Sequence, residues 1–311
     1  MRQIHKAVVA IAISLLAAFS ITAIAQSSDN ARFLSLSPDG GLPIIPILEG
    51  WIANPDGTTS FSFGIVNRNE HAVEIPIGEN NFITPAKYSG LQPSYFPSGR
   101  STGVFAITVP SSEQNDDVWW HLIAEDGADL KVPGRRGQDA YELDFILARP
   151  QGSLQPLVGV GEHGAQSAGL YLVGEHPEKV TVGSRAELVV NMSDPSMRDP
   201  SDPRFGELLP VGVHFTKYQG PGDVEFTRHP SSTVPVNPYK PGSPRFNFFS
   251  EPGPGDSEVP GGSGVARIYA TFSEPGEYLI RTQVENFTAP DSSKGDQCCW
   301  TNVIMKVNVS R

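Results

Sequence analysis

The chain has two cysteines among 311 residues, and they are neighbours, Cys298 and Cys299 in the stretch GDQCCWTN. Neighbouring cysteines cannot join distant segments, so no disulfide framework staples this fold and its core must be packed. Long apolar runs are scarce as well. The longest, Ala7–Phe19, falls short of the roughly 20 residues that a membrane-spanning helix needs. Basic residues are outnumbered, 23 Lys and Arg against 34 Asp and Glu, for a net charge of −11. A surface of that sign disfavours nucleic acid and anionic lipid as partners. No H-E-x-x-H zinc helix and no G-x-x-x-x-G-K-[ST] phosphate loop occurs. Catalytic triads are recognised by geometry rather than spacing, so this removes the motif arguments for an enzyme without excluding one.

What is present begins with the start of the chain, MRQIHKAVVAIAISLLAAFSITAIAQ. Arg2 and Lys6 make a basic entry, an apolar stretch follows, and Ala23 and Ala25 supply small residues at a cleavage site. We expect a signal peptide over residues 1–25 and therefore an exported protein, periplasmic or extracellular, with no membrane insertion after cleavage. Its removal takes two basic residues and no acid, leaving the mature chain at −13.

Only 39% of residues are hydrophobic, while 31 Gly and 28 Pro interrupt the chain, which suits short strands joined by turns. WIANPDGTTSFSFGIVN sets two β-rich runs around Pro55-Asp56-Gly57, and Phe61, Phe63 and Ile65 alternate with small residues. Val73–Ile77, Gly103–Pro110, Asp117–Gly127 and Tyr141–Ala148 add strands. The expectation is an N-terminal β-sandwich over 26–150. Residues 151–177 read as a connecting segment with some strand character, carrying a short echo, GEHG at 161–164 and GEHP at 174–177.

From 178 to 311 the alternation is clearer. Leu188, Val190 and Met192 share one face of a strand, as do Ala266, Ile268, Ala270 and Phe272 in a second. Tyr278, Ile280, Thr282 and Val284 do so in a third, and Val303, Met305, Val307 and Val309 in a fourth. The order AELVVNMSDP, ATFSEPGEYLIRTQV, NVIMKVNV resembles PKD-type immunoglobulin-like domains, and Glu274-Pro275-Gly276-Glu277-Tyr278 looks like the corner that enters strand F of such domains. The resemblance implies a sandwich whose Tyr278 bonds back to the backbone. It departs from the family at the aromatic-Asp-Phe-Gly-Asp-Gly signature, which is absent, and at Ile280, where antibody domains carry a cysteine. The fold class expected is thus all-β, two immunoglobulin-like sandwiches. A proline-rich loop, His229–Gly264, separates strands of the second, with Phe246, Phe248 and Phe249 expected to pin it down.

Candidate chemistry lies in loops. Asp194, Asp199 and Asp202 fall between the first two core strands, and Asp291 and Asp296 fall in the F–G loop, at the same end of such a sandwich. Together they offer oxygen ligands for Ca²⁺, although Asp-Pro pairs also serve simply to start turns. The histidines at 71, 121, 163, 176, 214 and 229 are dispersed. Glu162-His163 and Glu175-His176, each preceded by glycine, form a matched pair, and they would suit zinc or copper if their segments converged. Cys298 and Cys299 admit a vicinal disulfide, a redox switch, capture of a soft metal such as Cu(I), or plain packing. Strand parity turns Cys299 inward and Trp300 outward. The resulting expectation is a non-catalytic exported module that binds a protein or saccharide through Trp300, Cys298 and Cys299. A redox or metal-handling role for the cysteine pair is the alternative, and a carboxylate hydrolase the reserve.

Overall fold

The computed structural model describes residues 41–137, 141–143, 153–199, 201, 209–237, 240–244, 246, 251–286 and 299–311. The signal-peptide expectation falls outside them. Residues 43–311 form one compact unit. It is all-β, and its elements follow from the alternation and turn chemistry of the sequence.

The first half opens with a hairpin, β1 (Ile45–Ala53) and β2 (Thr59–Asn67). Its turn is fixed locally, because Asp56 Oδ1 accepts bonds from the Thr58 N–H at 3.0 Å and the Thr58 hydroxyl at 2.7 Å. There follow β3 (Val73–Glu74), β4 (Asn81–Thr84), β5 (Tyr95–Phe96), β6 (Gly99–Val109), β7 (Val118–Ile123) and β8 (Asp129–Gly134). One sheet has the order β1-β2-β6 and the other β4-β7-β8, with β3 and β5 paired on the side. That is the A-B-E and C-F-G arrangement of an immunoglobulin-like sandwich. Its core is aromatic. Trp120 is fully buried and meets Phe63, Phe96 and Phe105 at ring separations of 4.9 to 6.3 Å, while its indole N–H reaches Asn81 Oδ1 at 3.1 Å. Of the strand expected at Tyr141–Ala148, residues 144–148 lie outside the described set, and Glu142 bridges to Trp51.

The second half comprises β9 (Leu157–Val160), β10 (Leu172–Glu175), β11 (Val180–Thr181), β12 (Arg185–Ser193), β13 (Val211–Gln219) and β14 (Val224–Arg228). It continues with β15 (Asp256–Val259), β16 (Ser263–Phe272), β17 (Gly276–Glu285) and β18 (Trp300–Ser310). The outer sheet runs β14-β16-β12-β9 and the inner sheet β10-β18-β17-β13-β15, with β11 also pairing β18 in parallel. These correspond to D-E-B-A and A′-G-F-C, with β15 added to the edge. Both β9 and β10 come from the stretch expected to connect the halves, and β15 comes from the proline-rich loop. Tyr278, at the start of β17, donates its hydroxyl to Glu274 O at 3.0 Å, as the immunoglobulin corner implies.

Strand β17 is buried on both faces over most of its length, and β18 over Trp300–Met305. Tyr278, Ile280 and Val284 face the outer sheet, in the second core. The opposite face meets the first half, with Tyr218 and Ile304 contributing to the aromatic core. Much of this junction is polar. Arg281 Nη2 donates to Thr102 O and Gly103 O at 3.1 and 3.0 Å, its Nε to Asn302 Oδ1 at 3.0 Å, and Asn302 Nδ2 to Gly103 O at 2.7 Å. Tyr218 donates its hydroxyl to Leu91 O, and Lys217 pairs with Glu74. Burial lowers the Arg281 guanidinium to about 10, against the pull of Tyr218 and Glu49, and it remains charged at neutral pH.

Candidate functional site

At the F–G end the structure corrects the expectation for Trp300. The side chain does not face solvent: it is 2% exposed, packed against β6 where Gly103 leaves room for it. A Cβ at Gly103 would sit 2.3 Å from the indole, and its φ of +57° independently favours glycine. Parity along β18 was sound, but it presupposed one wet face, whereas this sheet is covered on both sides. Cys299 does face inward, 2% exposed, with Sγ 3.7 Å from Ser153 O, and it is disulfide-bonded. Cys298, Asp202, Asp291 and Asp296 lie outside the described residues. Asp194 engages Arg198 at 2.9 Å and the Ser196 N–H at 3.1 Å, while Asp199 caps its own turn through the Ser201 N–H and hydroxyl at 2.8 and 2.7 Å. Both described members of the expected calcium set thus engage groups in their own turns.

The molecule offers a better-formed concavity elsewhere. A cleft of about 310 Å³ opens beside the outer sheet, where β9 ends and the chain crosses toward the inner sheet. Its lining includes Glu162, His176, Glu178, Glu187, Val189 and Arg267. Leu188 and Val190 point into the core, which turns Glu187 and Val189 of β12 outward, and the same alternation turns out Arg267 of β16. Arg267 bridges two carboxylates, Glu162 and Glu187, the latter at 2.6 Å. Glu187 lies 3.9 Å from His229 Nε2, and the His229 ring leans on Tyr269. Glu178 has no ion pair among the described residues. His176 is partly withdrawn from water, and its burial lowers the imidazole pKa despite the opposing charge of Glu178, so the ring is neutral at pH 7. Its Nε2 is buried with no hydrogen-bond partner. The cleft therefore sets three carboxylates against one guanidinium.

The echoed Glu-His pairs come together only by halves. Glu162 and His176 line the cleft, while His163 is 95% exposed and Glu175 lies on the exposed side of β10. No group of three or more His, Cys, Asp and Glu among the described residues is placed to hold a metal. Glu187 and Arg267 were missed because each reads as an ordinary solvent-side strand position. The available signal was their registry: β12 and β16 pair Val189 with Arg267 and Glu187 with Tyr269, placing opposite charges diagonally.

Two short patterns in the chain mimic catalytic motifs. Gly99–Gly103, GRSTG, fits G-x-S-x-G, but it lies within strand β6 rather than at a strand-to-helix turn. Gly159–Gly164, GVGEHG, fits G-x-G-x-x-G, but β9 leads from it to a bend and β10, so no helix N-terminus is there to meet a phosphate. A hydrogen-bond chain of triad type does exist: His121 contacts Asp129 at 3.1 Å through Nδ1 and Thr84 at 3.0 Å through Nε2. It crosses three neighbouring strands on the outer face of β4-β7-β8, with Phe82 stacked on the imidazole at 4.4 Å. Both cavities described lie away from it, one in the cleft above and a second of about 10 Å³ at the junction.

No known protein family matches this chain, and no curated protein does. Among solved structures, it is similar to the D0-D1 domain of intimin at 8% identity, with a TM-score of 0.22 over 85% of this chain and 97% of that one. It is also similar to a protein of Corynebacterium diphtheriae assigned as membrane anchored, at 10% identity and a TM-score of 0.22, over 86% of this chain and 59% of that one. The strand order set out above carries the immunoglobulin-like assignment by itself.

Proposed function

We propose that this chain is an exported, non-catalytic interaction module, two immunoglobulin-like sandwiches fused into one block that presents a binding surface. The observation that carries the reading is the open, charged cleft on a block whose halves are joined through a buried polar junction. Export rests on the basic, apolar and small-residue succession of residues 1–25, and the PKD-type likeness rests on strand order alone. With Trp300 buried, the contact surface moves from the F–G loop to the cleft. A photo-crosslinking residue at Val189, in the exported protein on intact cells, is expected to give a discrete higher-mass adduct. The same residue at Ile77, exposed on the first half of the chain, serves as control. Export without any adduct at Val189 overturns the reading.

The cysteine pair supports a second role. Cys299 is oxidised, and Cys298 is the only other cysteine in the chain, so we propose a vicinal disulfide. Native alkylation followed by intact mass is expected to add no label until a reductant is supplied. Two labelled thiols without reductant contradict it.

A further inference from the structure

Strand β12 uses only part of one edge. On one side β16 accompanies it along its whole length, Arg185–Ser193. On the other side β9 accompanies only Val190–Ser193, and past its end the Gly161 N–H donates to Val189 O at 2.8 Å. Among the described residues, no second strand lies beside 185–188. Backbone groups alternate in direction along a strand, so the N–H and C=O of Glu187 point the same way as those of Val189, toward the side that β9 has vacated. The cleft opens along that same side.

We infer that this vacated edge receives an extended peptide segment carrying a lysine, whose backbone pairs with Glu187 and whose ammonium enters the cleft among Glu162, Glu178 and Glu187. The inference rests on the interaction-module reading and names its partner chemistry. Four observations select this occupant. A short strand edge lined by an indentation is the form that strand addition uses, with main-chain bonds for affinity and a pocket for an alternate side chain. The carboxylates outnumber the guanidinium three to one and the nearby imidazole is neutral, so the cleft attracts a cation and repels uronates, phosphates and acidic peptides. Val189 and Pro177 give the four-carbon lysine stem an apolar wall while its head stays among the carboxylates. The Tyr269 face, which a sugar ring would need for stacking, is already covered by Arg185 at 4.1 Å and His229 at 4.8 Å.

Calorimetry on the full chain with Ac-Thr-Val-Lys-Val-Thr-amide, against the same peptide acetylated on the lysine, tests the idea. The lysine peptide is expected to bind at least tenfold more tightly. Glu178→Gln, at a residue with no ion pair among the described residues, is expected to weaken it several-fold while leaving the melting temperature unchanged. N-methylation of the peptide backbone next to the lysine is expected to abolish binding even though the charge is kept. Equal binding of the two peptides, or no binding of either, overturns the inference. In that event a surviving crosslink at Val189 keeps the interaction-module reading and assigns the surface another ligand. Loss of both sinks the two together.

Discussion

Arg281 and Arg267 sit on neighbouring sheets of the same sandwich and have opposite surroundings. Arg281 is withdrawn from water and its donors meet two carbonyls of the first half and a side-chain amide of its own sheet. Arg267 lies between two half-exposed glutamates at the rim of a cleft. A buried charge is tolerable only when its hydrogen bonds are all answered, and one that is answered by a second half of the chain fastens that half in place. A charge in an open cleft contributes little to folding and leaves its neighbours available to a ligand. Polar residues therefore do two jobs here, closing one surface and keeping another open.

The comparison breaks first at Arg281. Arg281→Met leaves the amide oxygen of Asn302 without its donor and takes one donor each from the carbonyls of Thr102 and Gly103, which keep Gln283 and Asn302, and urea denaturation is expected to show a loss of about 3 kcal/mol. A loss below about 1 kcal/mol would mean that the junction is held by apolar contact alone. Gly103→Ala attacks the same place from the other side, driving a methyl group into the Trp300 ring at a positive φ. It is expected to cost about 2–3 kcal/mol in the same assay.

A smaller effect comes from His214, at the edge of the junction face. Burial opposes its charge, but hydrogen bonds to Asp256 at 2.9 Å and Glu285 at 3.4 Å outweigh this and raise its pKa from 6.5 to about 9. A raised pKa stabilises the fold fully below the unfolded value of 6.5, and the benefit fades as pH climbs through about 9. With a third of the side chain exposed, solvent screening reduces the contribution to about 1–2 kcal/mol. Melts between pH 6 and 10 should show that loss, and His214→Gln should flatten it. Arg267→Ala is expected to have the least effect on folding, within about 1 kcal/mol, yet to tighten the lysine peptide several-fold by removing the competing cation. Opposite outcomes at the two arginines, stability lost at one and affinity gained at the other, are what the comparison requires.

Much of the fold was legible because β12, β16, β17 and β18 each send apolar residues at alternate positions into the second core, and because Pro55-Asp56-Gly57 and Glu274–Tyr278 carry local chemistry that fixes a turn and a corner. The junction was not legible. Its acceptors are the backbone carbonyls of Thr102 and Gly103, which no sequence displays, and Arg281 and Gln283 look like the wet face of an ordinary strand. Trp300 and Ile304, sharing one parity with Asn302 between them, were the trace of a second buried face. The cleft was half legible through the GEHG and GEHP echo, which flagged Glu162 and His176. Glu187 and Arg267 stayed hidden because their meaning depends on where β9 stops.

Hydrogen exchange on the full chain, with and without the lysine peptide, tests most directly that the junction is closed and the β12 edge open. The account predicts slow exchange at the junction strands β17 and β18 in both states, with new protection confined to residues 185–189 when the peptide is present. Protection appearing around Trp300, or an edge of β12 that exchanges identically with and without peptide, would contradict it.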